Sequence, residues 1–380
     1  MASPRLVATF AALSGLLLAC SPSTQAPESQ SSDTKPMSTH APMPAAPVCD
    51  LASLSPRDKL AQLLTVGIKD AADARSVVSE QHVGGIMIGS WTDLSMLTDG
   101  SLPDISAAGP LPLAVTVDEE GGRVSRLASL IGEQPSARVL AQTKSVDEVY
   151  GIALDRGKKM RDLGITVDFA PVVDVTSDAD DTVIGDRSFG DDPAKVTEYA
   201  GAYARGLRDA GVLPVLKHFP GHGHGSGDSH TAGAVTTPPL AELQNNDLVP
   251  YRTLTTQPPV AVMVGHLEVP GLTGSDPASL SPAAYDLLRS GNYGGPAFNG
   301  VIYTDDLSSM AAINQRYGVA AAVLKALQAG ADNALWITTD EVPAVLDGLE
   351  KALADGQLNQ AAVDAAVQRN ADAKGGVHCG

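Results

Sequence analysis

Eight short apolar segments recur along this sequence, and stretches with helical patterning separate them. Most of these segments are rich in Val, Ile and Leu and do not alternate strictly with polar residues, which is typical of strands covered on both faces. They comprise residues 64–68, 85–88, 113–117, 166–170, 212–216, 260–264, 301–303 and 334–337. Strands that alternate with helices predict parallel βαβ units, and eight such units suit a closed barrel.

The longest helical stretches cover residues 146–163, 194–210 and 311–329, and each precedes a glycine at the position where a left-handed residue commonly ends a helix. We therefore predict an α/β fold, a (β/α)8 TIM-type barrel, as a single domain over residues 49–380, with its last helices within residues 341–374. A doubly wound open sheet is the competing fold. No glycine fingerprint of a dinucleotide site follows the first strand candidate, and no cofactor is predicted.

The first residues of the chain form a predicted targeting segment. Arg5 supplies a positive charge, and residues 6–18 are mostly apolar but too few to span a membrane. This pattern predicts a signal peptide over residues 1–19. The Leu-Leu-Ala tripeptide before Cys20 resembles a bacterial lipobox, which implies cleavage before Cys20 and lipidation of its thiol. An ordinary signal peptide followed by a chance cysteine is the alternative.

The next segment differs in composition from the rest of the chain. Residues 21–48 are rich in Ser, Pro, Thr and Ala, so they bury too little apolar surface to offset the entropy lost on ordering. Together with Cys20 they form a predicted flexible tether over residues 20–48. We therefore expect an extracytoplasmic protein that is anchored to the cell membrane through lipid alone.

Cysteine and charge content limit the remaining possibilities. Of the three cysteines, Cys49 and Cys379 remain if Cys20 is lipidated, and in an oxidising compartment an isolated pair favours a disulfide. We hypothesise that they join the two ends of the folded part; two unpaired thiols are the alternative. The formal net charge of −18 argues against a nucleic-acid partner, which needs a basic face. No oligomeric state is predicted.

Ionisable residues follow five successive strand candidates, from the third to the seventh. In a barrel of this kind the working residues lie at the carboxyl ends of the strands. The residues at these ends are Asp118, Glu119, Glu120, Asp174, Lys217, His218, His266, Asp305 and Asp306. Their recurrence predicts a functional site at one rim of the barrel.

The loop after the fifth strand candidate has four glycines that alternate with other residues over 221–227. Such a loop is able to close over a substrate and open again. At its far end Asp228 lies two residues before His230, and a carboxylate orients an imidazole that acts as acid and base near neutral pH. His222 and His224 add potential metal ligands, but a loop with four glycines is a poor cage, so no metal is predicted.

Five blocks of this sequence, in order, resemble glycoside hydrolase family 3 in its β-N-acetylglucosaminidase branch. The blocks are DEEGGRV at 118–124, IGDRSFG at 184–190, KHFPGHG at 217–223 with DSH at 228–230, PASLS at 277–281 and VIYTDDL at 301–307. The resemblance spans roughly residues 60–340.

The resemblance implies specific roles for individual residues. Asp305 would be the nucleophile that attacks the anomeric carbon and forms a covalent glycosyl-enzyme. His230, oriented by Asp228, would protonate the leaving oxygen and then activate water. Five residues would hold the hydroxyl groups and the N-acetyl group of the sugar: Asp118, Arg126, Arg187, Lys217 and His218.

The sequence also departs from the family pattern at two positions. Residue 119 is Glu where the branch often has Gln, which is expected to add a charge beside Asp118, and residue 224 is His where many members carry Asp. These departures concern substrate preference and not the type of reaction. Asp306 competes with Asp305 as the nucleophile, and the family pattern favours Asp305.

The function that the resemblance implies is hydrolysis of terminal β-linked N-acetylglucosamine, in an oligosaccharide or small-molecule substrate such as a peptidoglycan fragment. A β-glucosidase of the same family is the first alternative, but such enzymes usually lack the Asp–x–His loop. Transfer of the sugar to phosphate instead of water is a second alternative, because an imidazole acid/base does not repel the phosphate anion as a carboxylate would. An alternative from another functional class is a sugar-binding lipoprotein of a transporter. Such a protein would have two lobes joined by a hinge.

Overall fold

The computed structural model describes residues 51–375. The predicted signal peptide, the tether and Cys20, Cys49 and Cys379 lie outside the described residues, so lipidation and the disulfide stay predictions. Within residues 51–375, no helix is both long enough and apolar enough to cross a membrane.

Eight parallel strands form a barrel, and two short strands form a separate hairpin. The strands are β1 (Leu64–Ile68), β2 (Gly85–Ile88), β3 (Ala114–Val117), β4 (Glu119–Gly121), β5 (Val124–Ser125), β6 (Val167–Asp168), β7 (Leu213–Phe219), β8 (Ala261–Val264), β9 (Ile302–Thr304) and β10 (Ala334–Trp336). The barrel order is β10-β1-β2-β3-β6-β7-β8-β9, and a parallel bridge between Tyr303 and Asn333 joins its two edges. The predicted (β/α)8 barrel is therefore confirmed, and the open sheet is excluded.

Helices follow every barrel strand and cover its outer face. They are α1 (Pro56–Ala61), α2 (Ala71–Gln81), α3 (Leu102–Ser106), α4 (Ala128–Ile131), α5 (Ala137–Thr143), α6 (Val146–Asp162), α7 (Pro193–Asp209), α8 (Leu240–Leu243), α9 (Val249–Leu254), α10 (Pro282–Ser290), α11 (Ala311–Asn314), α12 (Val319–Ala329), α13 (Val342–Ala354) and α14 (Gln360–Ala373). The antiparallel β4–β5 hairpin lies directly after β3, so it projects from the carboxyl end of that strand.

Two predicted boundaries differ from the structure. The single helix predicted over 311–329 is wrong, because α11 and α12 are separate helices. Gly318 lies between them in an extended conformation (φ −74°, ψ 161°), and glycine favours such a break because its backbone loses most freedom in a helix. The fifth barrel strand, β7, continues beyond residue 216 as far as Phe219. Lys217 and His218 therefore lie on the strand itself and share its rigidity.

The interior of the barrel is filled with side chains. Phe169 and Tyr303 meet edge to face with their ring centroids 5.4 Å apart. The same interior cluster contains Met87, Ala114, Val167, Leu213, Val215, Ala261, Met263, Val301 and Leu335. Because this core is packed, the barrel is not a pore, and a substrate is restricted to the loops at one end.

Candidate functional site

A cavity of about 440 Å³ opens at the carboxyl-terminal ends of the barrel strands. All eight residues that the sequence singled out for catalysis or sugar binding line this cavity. They are Asp118, Arg126, Arg187, Lys217, His218, Asp228, His230 and Asp305. The fold thus brings together residues from distant parts of the chain, at the end of the barrel where chemistry is expected.

One side of the cavity is a continuous network of charges, which we call the charged wall: Asp118, Glu120, Arg187, Lys217 and His218. The Lys217 Nζ atom lies 2.6 Å from Asp118 Oδ1 and 2.6 Å from Glu120 Oε1. Arg187 binds Glu120 through two parallel contacts, Nε to Oε2 and Nη2 to Oε1, each 2.8 Å. Its Nη2 atom is 3.4 Å from His218 Nε2. Every member of the wall therefore contacts another member.

The Glu120 carboxylate and the Lys217 ammonium of the charged wall keep their charges although they are buried. Burial alone would raise the pKa of Glu120, but Arg187 and Lys217 outweigh it and hold the pKa far below its ordinary value. Burial likewise would lower the pKa of Lys217, but Asp118 and Glu120 raise it. Ionised groups that are fixed in this way offer strong, directed hydrogen bonds to a polar ligand.

Asp174 orients His218 from behind the wall. The Nδ1 atom of His218 lies 2.7 Å from Asp174 Oδ2, and Asp174 Oδ1 accepts the backbone N–H groups of His218 and His222. Burial opposes ionisation of Asp174, but His218 and His222 lower its pKa. Because Nδ1 is engaged with Asp174, the Nε2 atom of His218 is the one that faces Arg187.

Asp305 presents an ionised carboxylate to the cavity. The backbone N–H of Asp306 donates to Asp305 Oδ1 at 2.9 Å. Burial would raise the pKa of Asp305, but the nearby His266, His218 and His230 hold it far below its ordinary value. The carboxylate is therefore available as a nucleophile or as a partner for positive charge.

Asp306 is instead committed to the turn that follows β9. Its carboxylate accepts the N–H and O–H groups of Ser308 and Ser309. Its backbone carbonyl lies 2.7 Å from His266 Nε2, and the other ring nitrogen of His266 meets Ser279 Oγ at 2.6 Å. Asp306 therefore uses both of its carboxylate oxygens within the turn. Asp305 keeps one carboxylate oxygen that accepts no hydrogen bond from the described residues, and this oxygen is available to a ligand.

The predicted Asp–His pair is formed. The Nδ1 atom of His230 lies 2.6 Å from Asp228 Oδ1, and the side chains are 56% and 38% exposed. The backbone N–H of His230 donates to the same oxygen. Burial would raise the pKa of Asp228, but these hydrogen bonds from His230 lower it. With Nδ1 held by Asp228, the Nε2 atom is left to exchange protons with a ligand in the cavity.

The chain after β9 holds the segment that carries this pair. The N–H groups of Ala311 and Ala312, at the start of α11, donate to the carbonyls of His230 and Ser229, each at 3.2 Å. Arg316 Nη2 donates to the carbonyl of Gly233 at 2.9 Å. The structure therefore connects the His230 segment with the element that carries Asp305. Sequence reasoning missed this link, because contacts to backbone carbonyls require no particular residue at the accepting position.

The carboxylate that Glu119 adds beside Asp118 in the sequence does not reach the cavity. Glu119 is fully buried, does not line the cavity, and forms an ion pair with Arg156. Its oxygens also accept the Ser125 hydroxyl and two backbone N–H groups. Glu120, predicted only as one of the ionisable residues at a strand end and without a role of its own, takes the central position in the charged wall.

The two other histidines of the glycine-rich loop have structural partners. His224 Nδ1 lies 3.0 Å from Asp247 Oδ1, outside the cavity. His222 Nε2 lies 3.1 Å from Ser229 Oγ, and burial lowers the pKa of His222 to about 4. Across residues 51–375, no group of three or more His, Cys, Asp or Glu side chains is placed to hold a metal ion.

Comparison with known proteins agrees with this geometry. Residues 55–372 match the family described as the glycosyl hydrolase family 3 N-terminal domain. The sequence is 64% identical, over 383 residues, to the β-hexosaminidase LpqI of Mycobacterium tuberculosis, and the match covers 99% of this chain and 98% of that relative.

Solved structures agree as well. A glycosyl hydrolase of family GH3 from Mycobacterium smegmatis matches with a TM-score of 0.86 and 82% identity, over 87% of this chain and 100% of that chain. A family 3 β-N-acetylglucosaminidase from Paenibacillus sp. FPU-7 matches with a TM-score of 0.79 and 33% identity, over 85% of this chain and 62% of that chain. The chain therefore belongs to glycosyl hydrolase family 3, as its sequence blocks predicted, and is a glycoside hydrolase.

Proposed function

We propose that the protein is a retaining exo-β-N-acetylglucosaminidase that removes terminal β-linked N-acetylglucosamine. The observation that carries this proposal is that one cavity holds both the ionised Asp305 and the Asp228–His230 pair. A retaining glycosidase needs a nucleophile and an acid/base at one site. The relatives described as β-hexosaminidase and β-N-acetylglucosaminidase support the choice of sugar.

In the first step, Asp305 attacks the anomeric carbon and forms an ester to the sugar. The bond from that carbon to the leaving oxygen breaks, and the oxygen takes a proton from Nε2 of the His230 imidazolium. Asp228 stabilises the charged ring through Nδ1. Most retaining enzymes use a carboxylic acid for this proton transfer, so the Asp–His pair takes the place of a second carboxyl group.

In the second step, water attacks the anomeric carbon of the glycosyl–Asp305 ester. His230, now neutral, takes a proton from the water as its oxygen bonds to the sugar, and Asp305 leaves as a carboxylate. The configuration at the anomeric carbon is inverted twice and is therefore retained. His230 ends the cycle protonated, as it began.

The charged wall suits the polar groups of the sugar that is cleaved. We assign Asp118, Lys217, Arg187 and His218 to its hydroxyl and N-acetyl groups, because their side chains line the cavity and are held in place by one another, by Glu120 and by Asp174. Arg126 also lines the cavity and has no acidic partner among the described residues, so its guanidinium is available to the substrate. Fixed donors and acceptors favour a polar ligand over an apolar one.

The proposed source of the substrate is peptidoglycan. This part of the proposal depends on the predicted signal peptide and on the predicted lipid anchor at Cys20, because an enzyme attached outside the cytoplasm meets cell-wall fragments directly. The proposed location is therefore the outer side of the cell membrane, with lipid as the means of attachment.

The alternatives are separated by different observations. A sugar-binding lipoprotein of a transporter would have two lobes joined by a hinge, whereas residues 64–336 form one barrel. The β-glucosidase alternative leaves the Asp228–His230 pair in the cavity without a role. Phosphorolysis stays an alternative outcome, and it is detected as N-acetylglucosamine 1-phosphate when inorganic phosphate is added to the assay.

The test compares variants on two glycosides, 4-nitrophenyl and methyl β-N-acetylglucosaminide. We expect Asp305→Asn to lose at least about 10³-fold in kcat/KM on both, and a 2-fluoro sugar to label Asp305 in the wild type. Asp181→Asn is the matched control, because Asp181 lines the same cavity at its exposed rim. An active Asp305→Asn variant, or a label on another residue, contradicts the proposal.

A second variant tests the acid/base role. We expect His230→Ala to lose about 10²- to 10⁴-fold on the methyl glycoside, and far less in the glycosylation step of the nitrophenyl glycoside, because nitrophenolate leaves without a proton. Equal losses on both substrates would exclude this role for His230.

A further inference from the structure

The cavity has a second side of different chemistry, which we call the apolar wall: Met87, Trp91, Met310, Leu335 and Ile337. These residues come from β2, from β10 and from the chains that follow β2, β9 and β10, which are close together in the barrel order. The charged wall comes from the chains around β3, β6 and β7. A ligand that fills the cavity therefore meets these apolar groups as well as the charged wall, and Asp305 lies on the same chain as Met310.

Trp91 is the part of the apolar wall that reaches solvent. Its side chain is 43% exposed. The other large hydrophobic side chains that are exposed among the described residues, Leu130 and Val139, are aliphatic. Trp91 lines the cavity, so its exposed face is available to a ligand there, and aromatic side chains are frequent contacts in ligand pockets.

The indole ring is held in place without any ligand. Its Nε1–H donates to the carbonyl of Ile68 at 3.1 Å. The turn before it is closed by the Thr92 hydroxyl, which donates to the same carbonyl at 2.7 Å and accepts the N–H of Gly89. A Cβ atom at Gly89 would lie 2.4 Å from the ring. The ring thus packs over a position where a side chain does not fit, and its one polar atom is already used.

We propose that Trp91 is the platform of a leaving-group subsite on which the second pyranose ring of a β-linked substrate stacks. The inference rests on the proposed function, which assigns the cleaved sugar to the charged wall. A pyranose with equatorial substituents presents C–H groups on its faces, and these groups meet the negative face of an aromatic ring favourably. Since Nε1 is engaged, Trp91 offers a surface for stacking and no hydrogen bond.

The position of the acid/base supports this division of the cavity. The His230 segment starts from the β7 side, where the charged wall lies, and reaches the N–H groups of Ala311 and Ala312 beside Met310 of the apolar wall. The His230 segment is therefore bound to the chain that carries Met310 of the apolar wall. Because the oxygen that His230 protonates joins the two sugars, a leaving group that reaches His230 lies near that chain.

The two tryptophans of the chain make this inference measurable by fluorescence. Trp336 is fully buried in the barrel and Trp91 is exposed, so changes in quenching by acrylamide report on Trp91. In the Asp305→Asn variant, we expect N,N′-diacetylchitobiose to protect Trp91 from acrylamide and to shift its emission to the blue. N-acetylglucosamine alone should bind with little protection, because it occupies the charged wall.

The kinetic test uses leaving groups of different size. Trp91→Ala should reduce kcat/KM for diacetylchitobiose about 5- to 10-fold and change that for methyl β-N-acetylglucosaminide less than about 2-fold. Trp91→Phe keeps an aromatic face and should recover most of the loss. Leu130→Ala is the matched control, since Leu130 is exposed but lies outside the cavity.

The possible outcomes separate this inference from the proposed function. If N-acetylglucosamine binds but the disaccharide gives no additional protection, the subsite is wrong and the proposed function stands. If Trp91→Ala lowers activity equally on both glycosides, Trp91 contacts the cleaved sugar or supports the fold, and the subsite is again wrong. If neither sugar binds and the wild type is inactive, the proposed function itself fails.

Discussion

Glu120 connects the charged wall, and we predict that Glu120→Gln destabilises the fold and weakens sugar binding together. Its Oε1 accepts from Lys217 and Arg187, and its Oε2 accepts from Arg187 Nε, at 2.6–2.8 Å. A glutamine has one acceptor oxygen, so its amide N–H would face a cationic donor. Because removing one partner of a buried ion pair costs about 3–5 kcal/mol, we expect a loss of about 3 kcal/mol in the free energy of unfolding.

The same change should alter binding, because Lys217 and Arg187 lose the group that fixes them. We expect KM for 4-nitrophenyl β-N-acetylglucosaminide to rise about 10-fold, which corresponds to about 1.4 kcal/mol. Glu119→Gln is the matched control, since Glu119 is also buried and paired with an arginine but lies outside the cavity. It should lose comparable stability in urea unfolding and keep its KM. An unchanged urea midpoint for Glu120→Gln, or an equal rise of KM in both variants, would refute the reasoning.

The effect of Glu120 on stability also has a defined pH dependence. Its pKa in the folded protein lies below the ordinary value of about 4.3, so its charge stabilises the fold fully above that value. The stabilisation is lost as the pH falls through the folded-state pKa. The stability difference between wild type and Glu120→Gln should therefore be constant at about pH 6–8 and should decrease below about pH 4.

Three further changes test other parts of the structure. Arg316→Ala removes one of the donors that hold the His230 segment, so we expect a loss of about 5- to 10-fold on the methyl glycoside and little change on the nitrophenyl glycoside, measured by steady-state kinetics. Asp306→Asn keeps one acceptor oxygen, so it leaves one of the two turn N–H groups without an acceptor and should lower the free energy of unfolding in urea by about 1–3 kcal/mol. Cys20→Ser should move the activity from the membrane fraction to the soluble fraction of fractionated cells.

The sequence predicted the barrel well because its strands are buried on both faces. Such strands are short, continuous apolar segments, and each of the eight predicted segments overlaps a barrel strand. Boundaries were less predictable where tertiary contacts decide them. The helix predicted over 311–329 is divided at the extended Gly318, and the short α11 before it binds the His230 segment with its first N–H groups. β7 extends through Lys217 and His218, which are polar and yet buried.

The residues of the site were predictable as ionisable groups near strand ends, but their pairing was not. Glu119 and Glu120 are adjacent in β4, and neighbours on a strand point to opposite faces. In the structure Glu119 therefore forms an ion pair with Arg156, away from the cavity, and Glu120 forms an ion pair with Arg187 in the charged wall. Three successive carboxylates do not by themselves indicate that Asp118 and Glu120 line the cavity and that Glu119 does not. Asp174 was likewise visible at a strand end, but its role depends on the position of His218 on the neighbouring strand.

The division of the site into a buried part and an exposed part follows from the two proposed steps. The charged wall is buried and fixed, because it must hold one sugar in the same position while the bond to Asp305 forms and breaks. His230 is 56% exposed, since it must first reach the leaving oxygen and later meet a water molecule that enters after the leaving group departs. Its segment is bound to the start of α11, which follows the turn that carries Asp305. The acid/base is therefore positioned relative to Asp305 through the chain after β9, in addition to the contact between Ser229 and His222 of the glycine-rich loop.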